Sequence, residues 1–141
     1  MKKYKFLFIA TLFFSFSCAE SVDPLDPESY QIYELAGYQP SFSPNREFVP
    51  ITDSLYVYWF FEDGDFQKRI GDEVANGTFT SEKQDGQEAL LLDFENPDSD
   101  LIHSCIRGQE YMMLQTDNTL VGTWQACDGP ILFFNPVDTP S

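Results

Sequence analysis

The sequence predicts an all-β domain: an antiparallel meander of about eight strands closing into a small barrel, with a β-sandwich as the alternative. Three observations predict it. Short apolar runs bounded by Gly, Asp and Asn recur from Tyr30 onward, and no comparable stretch spaces its apolar residues at a helical period. The run "SLYVYWFF" alternates Leu55, Val57, Trp59 and Phe61 with Tyr56, Tyr58 and Phe60, so both faces are apolar and the strand is central. Aromatic residues make up 16% of the 141, enough to fill the core of one domain.

The elements follow in order. "SYQIYELAGY" gives a first strand over Tyr30 to Ala36, and "QPSFSPNREFVPITD" a proline-rich loop that wraps over one end. After the central strand, Asp63 and Gly64 form a hairpin turn that sends the chain back through "FQKRIG". A short loop after Gly71 leads to Asn76 and Gly77, read as a further turn, and "TFTSEK" is the strand beyond it. Asp85 and Gly86 reverse the chain into "EALLLDFE", with Leu90, Leu92 and Phe94 on one face, and "NPDSD" breaks that strand. "LIHSCI", "EYMMLQ", "TLVGTWQAC" and "PILFF" complete the set. Arg107 to Gly108, Asp117 to Asn118 and Asp128 to Gly129 divide them.

The N-terminus has a different character. Lys2, Lys3 and Lys5 precede an apolar run from Phe6 to Phe14, too short to span a bilayer as a helix, which takes about 20 residues. Residues 1–17 therefore read as a signal peptide. Ser15, Phe16, Ser17 and Cys18 resemble the relaxed lipobox of Bacteroidota lipoproteins, which implies that Cys18 carries lipid. An ordinary secretory cleavage close to Ala19 is the alternative. Several acyl chains on one residue hold a protein firmly, whereas a single chain binds reversibly. Residues 18–29 contain "AESVDPLDPES", whose acids and prolines suit a solvated tether, and residues 30–141 form the single domain. The acidic run also looks like the export signal of surface lipoproteins.

Composition narrows the partners. Lys and Arg number 8 against 23 Asp and Glu, a net charge of −15, and loss of the leader's lysines makes the balance more acidic. Such a chain repels polyphosphate, so nucleic acid is excluded as a partner. With Cys18 assigned to lipid, Cys105 and Cys127 remain as either a disulfide or two buried free thiols. A location outside the cytoplasm favours the bridge, which would contribute about 3 kcal/mol by loop entropy.

"VYWFFEDGDFQKR", "NGTF", "LLLDF", "IHSC" and "LVGTWQACDGPILFF", in that order, resemble the small lipocalin-like lipoproteins of Bacteroidota. The likeness spans roughly residues 30 to 135. It implies a lipocalin-like barrel, anchored by lipid in the outer membrane on its periplasmic face or at the cell surface. Lipocalins carry Gly-x-Trp on the first strand, whereas Gly122, Thr123 and Trp124 come near the end here, so that motif does not transfer.

Few residues offer chemistry. His103 is the sole histidine, and neither a second His nor a spaced Cys pair supports a metal. His103 and Ser104, as strand neighbours, would point to opposite faces and make a poor catalytic pair. Asp93, Glu95, Asp98 and Asp100 cluster about Pro97 without the spacing of a calcium loop. Tyr56, Tyr58, Trp59, Tyr111 and Trp124 are the candidate ligand-binding residues, weighed against the simpler reading of an aromatic core. The expected function is a binding or interaction module for a small apolar ligand, a glycan or an envelope protein, with no metal or other cofactor. A surface hydrolase acting on glycans and an accessory subunit of an envelope complex are the alternatives.

Overall fold

A computed structural model of the chain describes residues 30–42 and 44–138. The leader, Cys18 and the acidic tether lie outside the described residues. Nine strands follow one another along the chain: β1 (Tyr30–Gln39), β2 (Val49–Pro50), β3 (Tyr56–Phe61), β4 (Asp65–Ile70), β5 (Glu73–Gln84), β6 (Gln87–Phe94), β7 (Gln109–Leu114), β8 (Leu120–Gly122) and β9 (Ile131–Val137). All pairings are antiparallel between sequence neighbours, except that β1 pairs with β3 as well as with the short β2, and with β9. The β1–β9 ladder runs from Ile32 opposite Val137 to Gln39 opposite Ile131 and closes an eight-stranded, lipocalin-like up-and-down barrel, with β2 as an extra strand. Closure removes the free edges that β1 and β9 would otherwise present, and the two-residue β2 is the remaining edge among the described strands.

Strand alternation fills the interior. From β3, Tyr56, Tyr58 and Phe60 point inward, while Val57, Trp59 and Phe61 line the outer wall and stay half-buried. Leu90, Leu92 and Phe94 of β6 join the core as their spacing predicts, with Phe66, Met112, Leu120, Leu132 and Phe134. Turn chemistry sets the register. Asp85 (φ 52°) and Gly86 (φ 85°) are both left-handed and link Gln84 directly to Gln87, the geometry that fits the twist of a two-residue hairpin. Gly64 (φ 91°) does the same service between β3 and β4, where Asp63 Oδ1 accepts the Asp65 N–H at 3.1 Å.

Three local expectations fail. The turn expected at Asn76–Gly77 is strand: the chain reverses at Gly71 (φ 62°) and Asp72, and β5 runs unbroken from Glu73. Gly77 is required because a Cβ there would strike the Asp93 carbonyl and the Phe66 ring, so its sequence signal reports close packing. "LIHSCI" is not a strand but an irregular segment held by turns, with Ile102 N–H on the Ser99 carbonyl and Gln109 N–H on the Ile106 carbonyl, both 3.2 Å. In "TLVGTWQAC" only Leu120–Gly122 is strand, and Trp124–Cys127 form a 3-10 turn. The proline-rich loop runs along the outer wall, where Phe48 packs edge-on against Phe133 with ring centres 5.5 Å apart.

Candidate functional site

Antiparallel register gives the barrel two unlike ends. One end gathers the start of β3, the end of β4, the start of β7 and the segment before β9. The other gathers Tyr30, the end of β3, the β5–β6 hairpin and the end of β7.

The first end is closed by a buried polar network. Lys68 lies between Phe66 and Ile70 on β4, and alternation turns it inward, where it is fully buried. Its Nζ sits 2.5 Å from Glu110 Oε1, and Glu110 is itself only 4% exposed. The carboxylate is fully used: Oε2 accepts the Tyr58 hydroxyl at 2.6 Å and Oε1 accepts the His103 backbone N–H at 2.6 Å. Tyr56 Oη lies 2.8 Å from His103 Nδ1 and 3.3 Å from Tyr58 Oη. The ammonium also lies 5.0 Å from the Tyr56 ring centre and 5.2 Å from that of Tyr58, within cation–π range. Burial pushes both tyrosine hydroxyls well above their usual range, and the Glu110 charge adds to the effect. Burial draws Lys68 down while Glu110 opposes it, and burial followed by the Lys68 charge lowers His103 to about 4.

An aromatic plug covers this network. Trp124 stacks on His103 at 4.3 Å with the rings 4° from parallel, and Gly129 lies so close beneath Trp124 that a Cβ there would enter the indole. Cys105 and Cys127 are joined by a disulfide, with Cα atoms 5.5 Å apart, tying the His103 segment to the 3-10 turn of Trp124. Neither cysteine lies in a strand: Cys105 falls in the irregular segment before β7 and Cys127 ends the 3-10 turn. On the surface below, Arg107 and Asp98 pair through two bonds of 2.7 Å each. Among the described residues, no group of three or more His, Cys, Asp or Glu is placed to hold a metal ion.

The second end is open. A cavity of about 410 Å³ enters the barrel there, with Tyr33, Phe60, Phe79, Leu90 and Leu114 as its apolar wall. Tyr30, Gln31, Phe61, Glu62, Ser81 and Glu88 complete the mouth. Glu88 keeps the inward parity of Leu90 and accepts the Ser81 hydroxyl at 2.7 Å. Burial, and then the Glu88 charge, raise the Tyr33 hydroxyl.

The aromatic residues singled out in the sequence do not converge on this cavity. Tyr56 and Tyr58 sit in the buried network, Trp124 belongs to the plug, and Trp59 stands on the outer wall opposite Ile32 and Gln67. Tyr111 is opposite Leu91 on the outer face of β7. The cavity residues were missed because Tyr33, Phe79 and Leu114 look like ordinary strand residues. One signal was available: Glu88, Leu90 and Leu92 alternate, which places a carboxylate on the core face at a strand end. Comparison with known proteins adds no relative: no family model, curated protein or solved structure matches the chain.

Proposed function

We propose that this protein is a lipid-anchored binding protein of the cell envelope, holding a small apolar ligand in the open mouth of its barrel. The cavity carries the reading: about 410 Å³ of space, walled by aromatic and aliphatic side chains with a few polar groups at the rim, is the usual form of a small-molecule site. The opposite end supports it by contrast, since its polar groups satisfy one another and offer a ligand nothing. Glu62 and Glu88 share one mouth, as a glycosidase pair would. Both are exposed, however, and a catalytic acid needs an apolar enclosure to stay protonated at neutral pH. Binding therefore fits better than hydrolysis.

Attachment through Cys18 gives the mouth a place. Tyr30, on the rim, opens β1, and the tether from Cys18 reaches at most about 40 Å when fully extended. The mouth would lie at the membrane-proximal end of the domain, placed to exchange an apolar molecule with the bilayer.

Native mass spectrometry of the protein released from its own membrane tests both halves. The expected mass is the chain from Cys18 plus acyl groups, with a further component that dissociates on activation. A bare N-terminus would overturn the anchor. A chain that carries no ligand and does not take up decanol in calorimetry would overturn the binding site.

A further inference from the structure

We propose that the ligand carries a positive charge beside its apolar body, an inference that rests on the binding reading above. The mouth holds two carboxylates, Glu62 and Glu88, and neither Lys nor Arg is among the residues that line it. Lys83 faces Glu88 across the β5–β6 ladder, yet it is exposed and lies outside the lining. Glu88 is anchored toward the opening by the Ser81 hydroxyl, so its charge is held where a ligand must pass. A second depression shares Glu88 and Leu114 and adds Asp85, which extends the negative rim over the β5–β6 hairpin.

The wall suits the same ligand. The rings of Tyr33, Phe60 and Phe79 offer apolar contact to an alkyl or aromatic body, and negatively polarised faces to an ammonium at the entrance. A fatty acid would place its carboxylate against Glu62 and Glu88, a like-charge contact that opposes entry. An amphiphilic amine meets apolar wall and acidic rim in the right order.

The test uses the processed chain and three probes of equal length: decylammonium, decanol and decanoate, each below its aggregation threshold, measured by calorimetry. Decylammonium is expected to bind about tenfold more tightly than decanoate, with decanol between, as two partly solvated charge contacts predict. Glu62→Gln with Glu88→Gln should close that gap, and added salt should narrow it. Leu114→Trp, which fills the mouth, should abolish all three.

Equal binding of the three probes, or tighter binding of decanoate, would overturn the charge assignment and leave the binding reading intact. So would a preference for decylammonium that survives in the double variant or in Leu114→Trp, because it would then reflect the acidic surface as a whole. Failure of all three probes to bind would overturn the binding reading with it. Near-ultraviolet circular dichroism confirms that each variant is folded.

Discussion

The two ends of this barrel are built from the same strands and have opposite character. At the closed end, Lys68, Glu110, Tyr58, Tyr56 and His103 complete one another's hydrogen bonds beneath Trp124, and a disulfide pins the cover in place. At the open end, apolar side chains stop short of filling the interior and leave about 410 Å³ beneath an acidic rim. Buried polar groups are tolerated only when paired, so removing one member of the closed end leaves its partners unsatisfied and costs stability. At the open end the hydrogen bond from Ser81 to Glu88 lies at the exposed rim, away from the buried interior. Stability therefore concentrates at the closed end, and the open end is where recognition is proposed.

Four changes break or sharpen that division, from the largest effect to the smallest. Glu110→Ala leaves the Lys68 ammonium buried without a partner, and urea unfolding should show a loss of about 3–5 kcal/mol. Replacing both partners, Lys68→Met with Glu110→Leu, should cost less, since only the Tyr58 hydroxyl and the His103 N–H then lose an acceptor. A Glu110→Ala variant as stable as the parent would remove the distinction between the ends. Cys105→Ser with Cys127→Ser unpins the plug, and the same titration should read about 3 kcal/mol less, with decanol binding unchanged. Loss of binding in this variant would show that the two ends communicate.

The third change is acidification. His103 is held neutral down to about 4, below its usual 6.5, so between those values the unfolded chain takes up the proton first. Stability then falls as pH drops from 6.5 to about 4, and it is fully present above 6.5. Partial exposure of the ring limits the effect to about 1 kcal/mol. Thermal melts across this range should show a shallower slope for His103→Gln than for the parent. Last, Glu62→Gln and Glu88→Gln should each change stability by less than about 0.5 kcal/mol, because both side chains are exposed at the rim. A larger loss on melting would mean that the mouth is structural as well.

The mistaken strand boundaries share a cause. Gly77 and the glycines of true turns carry the same letter, yet Gly77 is demanded by a neighbouring strand that local sequence does not name. "LIHSCI" is apolar because it lies over the end of a barrel, and its Leu101 is buried by that position without any strand pairing. The buried ion pair was equally hidden, since Lys and Glu default to the surface. A trace of it was legible: Phe66, Lys68 and Ile70 alternate as one face, and so do Glu110, Met112 and Leu114, which puts both charges on the core side.

By itself the sequence determined the all-β class, the apolar face of β6 and the hairpins at Gly64 and Gly86, because alternation and left-handed turns are encoded by residues adjacent in the chain. Only the tertiary structure decided that Lys68 meets Glu110, that Cys105 meets Cys127, that Trp124 seals one end, and that Tyr33, Phe79 and Leu114 leave the other open. Those outcomes depend on register between strands and on the closure of β1 against β9. Side chains distant in the chain meet through those pairings, and no local pattern specifies how they will meet.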